Sequence, residues 1–247
     1  MNKKDWHDET ALLQMQMSEF WSGDLGLTLV TIALVFLIFV ILPLRQAGLT
    51  GRAFLDLVMV TLMISGALVV KQKRILTIGT VVLVILAACI LFISRMYPSP
   101  FLRHLSSLLT IVVMFIYVRI VLLVMFRQGH VTWSRIQGGV CAYLMLGVAW
   151  GAAYDLVEQF DSGAFRFISL PSNMDEQSAK LVYFSFVTLT TVGYGDVSPL
   201  SPYARSLAIA EAVVGQLFPA ILIGALVAMA MRASAASKSV PTSVRAD

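Results

Sequence analysis

The sequence predicts an all-α membrane protein with six transmembrane helices and one shorter, re-entrant helix. Two observations lead to this fold class. Of the 247 residues, 58% are hydrophobic and only 13% are charged, whereas a soluble domain carries about 25% charged residues. The apolar residues also fall into runs of about 18 to 25 residues, each long enough to cross about 30 Å of hydrocarbon as a helix.

Six such runs follow one another along the chain, separated by turn-forming or basic residues. The predicted spans are residues 25–42, 53–70, 75–94, 105–126, 134–156 and 203–231. Pro43 marks the first turn between them. We therefore divide the chain into a cytoplasmic or interfacial segment (1–24), a four-helix unit (25–126), a unit with the last two spans (127–232) and a short disordered cytoplasmic tail (233–247).

The segment between the fifth and sixth spans, residues 158–202, is too long for a simple turn. Asn173, followed three residues later by Glu176, predicts a helix start with a capping box. The apolar stretch 179–190 is helical in character but too short to span, so it predicts a re-entrant helix shielded by protein or water. Ser201 and Pro202 predict the N-cap and the first-turn proline of the last span.

The stretch after the re-entrant helix is Thr191-Val192-Gly193-Tyr194-Gly195. It resembles the filter of the potassium channel family, Thr-Val-Gly-Tyr-Gly, at every position. The resemblance implies a pore domain in which four such loops surround one axis and their backbone carbonyls replace the water shell of K⁺. Carbonyls that all point one way require alternating backbone conformations with positive φ, which glycine adopts at little cost.

The resemblance also assigns roles within this stretch. K⁺ is expected at Thr191, Val192, Gly193 and Tyr194, and the Thr191 hydroxyl would add the innermost ring of ligands. The side chains of Val192 and Tyr194 would point away from the ions and brace the filter. K⁺ is thus the transported ion, and no cofactor is implied.

Asp196 resembles the family aspartate that anchors the filter from behind. Some bacterial members pair this aspartate with a glutamate of the pore helix, but the matching residue here is Val187. We therefore expect Tyr183 to supply the hydrogen bond instead.

The last span carries a candidate gating hinge. Gly215 lies twenty residues after Gly195, the spacing of the family's hinge glycine. Pro219 has no N–H for the Gly215 carbonyl, which weakens the helix at the same place. A static kink for packing is the alternative.

Two further polar residues are candidates for a role in the pore: Thr190 at the end of the pore helix and Glu211 inside the sixth span. An ionisable residue at that depth is costly and therefore a functional candidate. Glu211 either faces the cavity and attracts cations or forms a hydrogen bond behind the filter.

The partners expected are K⁺, membrane lipids and further copies of the chain. One loop cannot surround an ion, and the sequence has a single copy of the motif without internal repeats, so a homotetramer is predicted. Lys and Arg are scattered rather than clustered, so no nucleic-acid surface is expected. The tail 233–247 is too short to hold a regulatory domain.

The four-helix unit resembles a voltage-sensor domain without its gating charges. Arg119 is the only charged residue inside the fourth span, whereas steep voltage dependence needs about three or four gating charges per subunit. The sequence thus predicts a K⁺-selective channel that conducts passively and is not steeply voltage-gated.

With the filter motif facing outside, both termini are cytoplasmic, and the compact chain suggests a prokaryotic plasma membrane. The alternatives are a cation channel or potassium-uptake transporter with a degenerate filter and a non-conducting subunit that modulates another channel. An enzyme is not expected, because the sequence offers no nucleophile with its base, no metal-ligand spacing and no phosphate-binding loop.

Overall fold

The computed structural model describes residues 28, 30–46, 74–97, 99–126 and 132–238. In chain order these residues form α1 (30–46), α2 (Arg74–Met96), α3 (Pro100–Met125), α4 (Trp133–Phe160), β1 (Phe165–Phe167), α5 (Met174–Leu189), β2 (Val197–Pro199) and α6 (Pro202–Lys238). The predicted segment 1–24 and the predicted second span, 53–70, lie outside the described residues.

Three of the described helices are long and apolar enough to cross a membrane. Their spans are Pro100–Leu123 in α3, Arg135–Phe160 in α4 and Pro202–Arg232 in α6. Two shorter apolar stretches, Val30–Leu44 and Ile85–Ser94, belong to α1 and α2. The described part of the chain is thus mainly helical, as predicted, and the total of six spans stays a prediction.

The first helix does not end at Pro43, where the sequence predicted a turn. It continues to Gln46 and contains a π-helical turn, Leu37–Ile41, just before the proline. The N–H of Leu42 bonds to the carbonyl of Leu37, five residues back. Because Pro43 has no N–H to bond in the α-helical pattern, this wider turn carries the helix past the missing bond.

A common core joins α1, α3 and α4. Its buried members include Leu34, Leu37, Met114, Tyr117, Cys141 and Met145. Ala142 and Ala149 of α4 are fully buried in the same cluster. Small residues let helix backbones approach closely in a bilayer, where van der Waals packing rather than water exclusion holds helices together.

Small residues also bring α4 against α5. A Cβ added to Gly147 would lie 2.5 Å from the Phe186 ring, and one added to Gly151 would lie 2.8 Å from the Cα of Val182. At Gly151 a larger residue would meet the backbone of α5 and separate the two helices, whereas at Gly147 it would displace the Phe186 ring. The glycines of α4 therefore set how closely α5 packs on it.

A second, outer core joins α4, α5 and the two-stranded sheet through three aromatic rings. Tyr154, Phe165 and Phe184 meet edge to face, with ring centroids 5.0 to 5.5 Å apart. Each such pair contributes about 0.5–1.5 kcal/mol beyond its buried area. This cluster fixes the outer end of α5 against α4.

The last helix starts as predicted and ends later than predicted. The N–H of Ala204 bonds to the Ser201 hydroxyl at 3.2 Å, so Ser201 caps α6. The helix continues through Pro219 to Lys238, so residues 233–238 of the expected tail are helical. This segment is rich in alanine, the best helix former. Of residues 202–232, only Ala204, Glu211 and Gly215 are buried within the chain.

Candidate functional site

The re-entrant helix α5 begins with the cap that the sequence predicted. The Asn173 side chain accepts the N–H of Glu176 at 2.9 Å. The Glu176 carboxylate accepts the N–H of Ser172 at 2.7 Å and pairs with Lys180 at 2.8 Å. Lys180 and then the Ser172 N–H lower the pKa of Glu176 to about 2. The Glu176 carboxylate therefore bonds to the backbone of Ser172, the residue before the N-cap Asn173.

The chain turns sharply where α5 ends. The hydroxyl of Thr190 bonds to the Phe186 carbonyl at 2.6 Å. The carbonyl of Val187 accepts the N–H groups of Val192 and Gly193, at 2.9 and 3.3 Å. These bonds hold the first residues of the motif against the last turn of the helix, so the position of α5 sets the position of the loop.

The motif has an alternating backbone. Thr191, Gly193 and Gly195 have φ angles of 59°, 63° and 80°, and the residues between them do not have positive φ. This is the alternation that carbonyls facing one way require. Thr191 is the only non-glycine residue with positive φ in the described part of the chain. Such a residue stores strain of about 1–3 kcal/mol, which is typical of functional sites.

The motif is exposed in the single chain. Val192 is 54% exposed and Tyr194 72% exposed, and a Cβ added to Gly193 or Gly195 would have no neighbour within 4 Å. The bracing contacts expected for Val192 and Tyr194 are thus not made within the chain.

Asp196, the residue after the motif, is held by hydrogen bonds of its backbone. Burial, and then the Asp196 carboxylate, raise the pKa of Tyr183 to about 12, and a hydrogen bond from Tyr183 to Asp196 stays a prediction. The Asp196 carbonyl accepts the N–H of Ile168 at 2.9 Å. Val187, at the position of the family glutamate, has a buried side chain.

A two-stranded sheet that the sequence analysis missed holds this outer segment. Phe165 pairs with Pro199 and Phe167 with Val197 in antiparallel register. Glu158 organises the sheet, because its carboxylate accepts the N–H groups of Gly163 and Phe165 at 3.0 and 3.1 Å. A signal was available in the sequence. A glutamate in the last turn of a helix is unfavourable next to the negative end of the helix dipole, so its presence indicates that it binds another group.

The glycine of the predicted hinge has a packing role. A Cβ added to Gly215 would lie 2.0 Å from the carbonyl oxygen of Leu189, the last residue of α5. The Tyr143 hydroxyl donates to the same carbonyl at 3.0 Å. Pro219 lies inside a continuous helix. The structure therefore places both α4 and α6 at the end of α5, and a moving hinge at Gly215 and Pro219 stays a prediction.

Glu211 is enclosed by side chains of the neighbouring helices. It is fully buried. Tyr154 donates to one carboxyl oxygen, and the Ser185 hydroxyl lies 2.5 Å from the other. Of the two roles that the sequence left open, the structure shows the hydrogen bond. Tyr154 and Ser185 themselves were not singled out from the sequence.

Gln216 is a second residue that the sequence analysis missed. Its amide donates to the hydroxyl of Thr191 at 3.1 Å. The signal was an amide next to Gly215 in a mainly apolar span. This bond connects α6 directly to the strained residue of the motif.

A buried carboxylate also connects α3 to the helices around the loop. Ser178 donates to one oxygen of Asp155 at 2.7 Å, while Ser107 and Gln159 donate to the other at 3.1 and 2.5 Å. Arg103 lies 3.7 Å from Asp155. Asp155, near the end of α4, thus joins this helix to the starts of α3 and α5.

Comparison with known proteins defines the class of this site. Residues 142–232 match the family model described as "Ion channel". The matched interval runs from α4 to α6 and contains the whole motif. Two apolar helices flanking a short re-entrant helix and an alternating loop thus form an ion channel domain.

Parts of the chain are also similar to individual proteins. A protein named "Two pore potassium channel c" from Oryza sativa subsp. japonica is 35% identical over 86 residues, which cover 35% of this chain and 17% of that protein. "Protein LctB" from Bacillus caldotenax is 33% identical over 85 residues, covering 33% of this chain and 61% of that protein. "Protein LctB" from Geobacillus stearothermophilus is 48% identical over 42 residues, covering 17% and 31%.

The chain therefore spans less than two thirds of each of these relatives. No solved structure matches it. Its segment 142–232 matches an ion channel family model, and part of the chain is similar to a protein named as a potassium channel.

Proposed function

We propose that four copies of this chain form a K⁺-selective pore through a membrane. The observation that carries the proposal is the alternation of positive φ at Thr191, Gly193 and Gly195, directly after a short helix that cannot span. This backbone lets successive carbonyls face one axis, where they replace the hydration shell of a cation. The name of the rice relative, a potassium channel, agrees with K⁺ as the ion.

The need for four copies follows from surfaces that one chain leaves open. A K⁺ ion requires rings of carbonyl oxygens, and one chain contributes a single loop. Val192 and Tyr194 are exposed in the single chain, and of residues 202–232 in α6 only Ala204, Glu211 and Gly215 are buried. Closed rotational symmetry would cover both surfaces with the same contacts in every subunit.

The short helix α5 adds an electrostatic contribution. Its C-terminus carries about half a negative charge from the aligned peptide dipoles. That end, at Leu189 and Thr190, lies beside the innermost residue of the motif, Thr191. In a tetramer, four such ends would favour a cation below the filter.

We further propose that the channel is not steeply voltage-gated. Arg119 is the one charged residue between Arg103 and the end of α3, and Arg103 is held by Asp155 at the outer end. About three or four gating charges per subunit are needed for steep voltage dependence. With the motif facing outside, both chain ends are cytoplasmic.

The test of selectivity is cation flux into liposomes that contain the purified protein. Gradients of K⁺, Rb⁺, Na⁺ and Li⁺ are compared for the wild type, Gly193→Ala and Gly163→Ala. Gly163 is a matched control, because it also has positive φ, 92° against 63°, and an added Cβ meets nothing within 4 Å. It differs in lying outside the motif.

We expect flux of K⁺ and Rb⁺ only, lost in Gly193→Ala and retained in Gly163→Ala. Equal flux of Na⁺ would overturn K⁺ selectivity. Equal loss in both variants would indicate general backbone strain rather than a filter. Single-channel recording across a range of voltages then tests gating, and a steep change in open probability would refute the second proposal.

A further inference from the structure

A hydrogen-bond network behind the loop joins three helices at Glu211. This residue comes from α6, Tyr154 and Gly147 come from α4, and Ser185 comes from α5. Glu211, Ser185 and Tyr154 are all fully buried. The network therefore has no access to water within the chain. Each of its hydrogen bonds must use a proton that belongs to one of its own groups.

Three contacts in this network each require a proton. The Tyr154 hydroxyl donates to one oxygen of Glu211. The Ser185 oxygen lies 2.5 Å from the other oxygen of Glu211 and 2.7 Å from the carbonyl of Gly147. Tyr154 and Ser185 carry one hydroxyl proton each. An ionised Glu211 would leave two oxygens in contact without a proton between them.

A neutral Glu211 supplies the missing proton. Its acid proton then goes to the Ser185 oxygen, and Ser185 donates its own proton to the Gly147 carbonyl. Within the described residues, both contacts to the Glu211 carboxyl come from hydroxyl groups and none from Lys or Arg. A buried carboxyl without a counter-charge is neutral at far lower cost than ionised.

We propose that Glu211 is held as a protonated acid and acts as a positioning residue for the loop. It fixes Ser185, and through Ser185 the helix α5, between α4 and α6. Ser185 lies two residues before Val187, whose carbonyl holds the N–H groups of Val192 and Gly193. A displacement of α5 thus moves the loop directly.

The effect on K⁺ selectivity rests on the proposed function, whereas the protonation does not. The two are therefore tested by separate measurements. Infrared spectra of the purified protein in liposomes at neutral pH report the carbonyl stretch of a protonated carboxylic acid. Ion flux reports the position of the loop.

The informative variant is Glu211→Gln. An amide has one donor side and one acceptor side, so it reproduces a protonated acid between Ser185 and Tyr154. Glu211→Leu removes both contacts and is the disruptive comparison. Ser185→Ala removes the acceptor of the acid proton but leaves the acid in place.

We expect the wild-type spectrum to contain a protonated-acid band that is absent in Glu211→Gln and shifted in Ser185→Ala. Glu211→Gln should keep the K⁺ to Na⁺ flux ratio within about twofold, whereas Glu211→Leu should lower it by about tenfold, since buried polar groups lose their partners.

A band that persists unchanged in Glu211→Gln would overturn the protonation. A Glu211→Gln channel as impaired as Glu211→Leu would also contradict the protonation. It would mean that Ser185 donates to residue 211, so that the amide N–H of the glutamine meets a donor instead of an acceptor. If the protein does not select K⁺ at all, the band and its shift in Ser185→Ala still decide the protonation state.

Discussion

Thr191 combines two properties that rarely occur together. It is β-branched, and it has a positive φ of 59°. A left-handed conformation costs a non-glycine residue about 1–2 kcal/mol, so surrounding contacts must hold it. Its N–H bonds to the Thr188 carbonyl at 2.9 Å, and its hydroxyl accepts the Gln216 amide at 3.1 Å. Gln216 is therefore the side chain that fixes the orientation of the Thr191 hydroxyl.

This contact predicts a coupled effect of Gln216→Leu and Thr191→Val. Valine keeps the shape of threonine and its backbone preference but cannot accept the bond. A single hydrogen bond contributes about 1 kcal/mol, so Gln216→Leu should reduce K⁺ flux about fivefold. In the Thr191→Val background, Gln216→Leu should change the flux little. Independent effects that multiply in the double variant would contradict a direct bond.

The packing of Gly215 predicts a second effect at the scale of one residue. Gly215→Ala would place a Cβ 2.0 Å from the Leu189 carbonyl, so α5 and α6 must separate. Such overpacking costs about 1–3 kcal/mol, and we expect a lower thermal midpoint together with a loss of K⁺ flux. Gly224→Ala is the matched control on the same helix, because its Cβ would meet nothing within 4 Å. A Gly215→Ala protein as stable as the wild type would leave only a hinge role for this glycine.

At the scale of elements, α5 is held at both ends and in the middle. Asn173 caps its start, Ser185 bonds to Glu211 and Gly147, and the Leu189 carbonyl accepts the Tyr143 hydroxyl. A helix of 16 residues is marginal on its own. Its attachment to α4 and α6 therefore determines where the loop after it lies.

The outer end of α3 is attached to the same helices through Asp155. Asp155→Asn replaces one carboxylate oxygen by an amide that faces hydroxyl and amide donors. Leaving buried donors without an acceptor costs about 1–3 kcal/mol, so the thermal midpoint should fall. Asp161→Asn, an exposed residue just after α4, is the control and should leave the midpoint unchanged. Equal midpoints for both variants would contradict a structural role of Asp155.

The sequence predicted local features of these elements better than distant ones. The cap at Asn173, the cap at Ser201 and the short helix α5 follow from residues within a few positions of each other. The bonds of Glu211, Asp155 and Glu158 join residues from different elements. Because no periodicity or spacing encodes such pairs, only the folded chain could identify them.

At Pro43 a prediction from local sequence was wrong, because the helix continues past this residue. Proline removes a backbone donor, and the sequence therefore predicted a turn. A π-helical turn before it absorbs the change, and the buried side chains of Leu37, Ile41 and Leu42 keep the segment helical. The burial of these side chains thus overrides the local preference.

At the scale of the whole molecule, the N-terminal helices pack directly on the pore unit. The core of α1, α3 and α4 is continuous, and Thr28 contacts Gln137 of α4 at 3.2 Å. Most of α6 is open, since of residues 202–232 only Ala204, Glu211 and Gly215 are buried. In the proposed assembly, further copies of the chain would pack on this exposed surface.

Assembly as a tetramer predicts how inactive subunits act in mixtures. Wild-type chains are coexpressed with an equal amount of Gly193→Ala chains, and K⁺ flux is measured per reconstituted protein. If one inactive loop blocks the pore and subunits mix at random, about one sixteenth of the tetramers contain four wild-type chains. We therefore expect flux to fall to about that fraction, whereas a dimer would retain about one quarter. Coexpression with Gly163→Ala, which keeps an intact motif, should leave the flux unchanged. A fall to one half would mean that each chain conducts alone, and it would refute the shared pore.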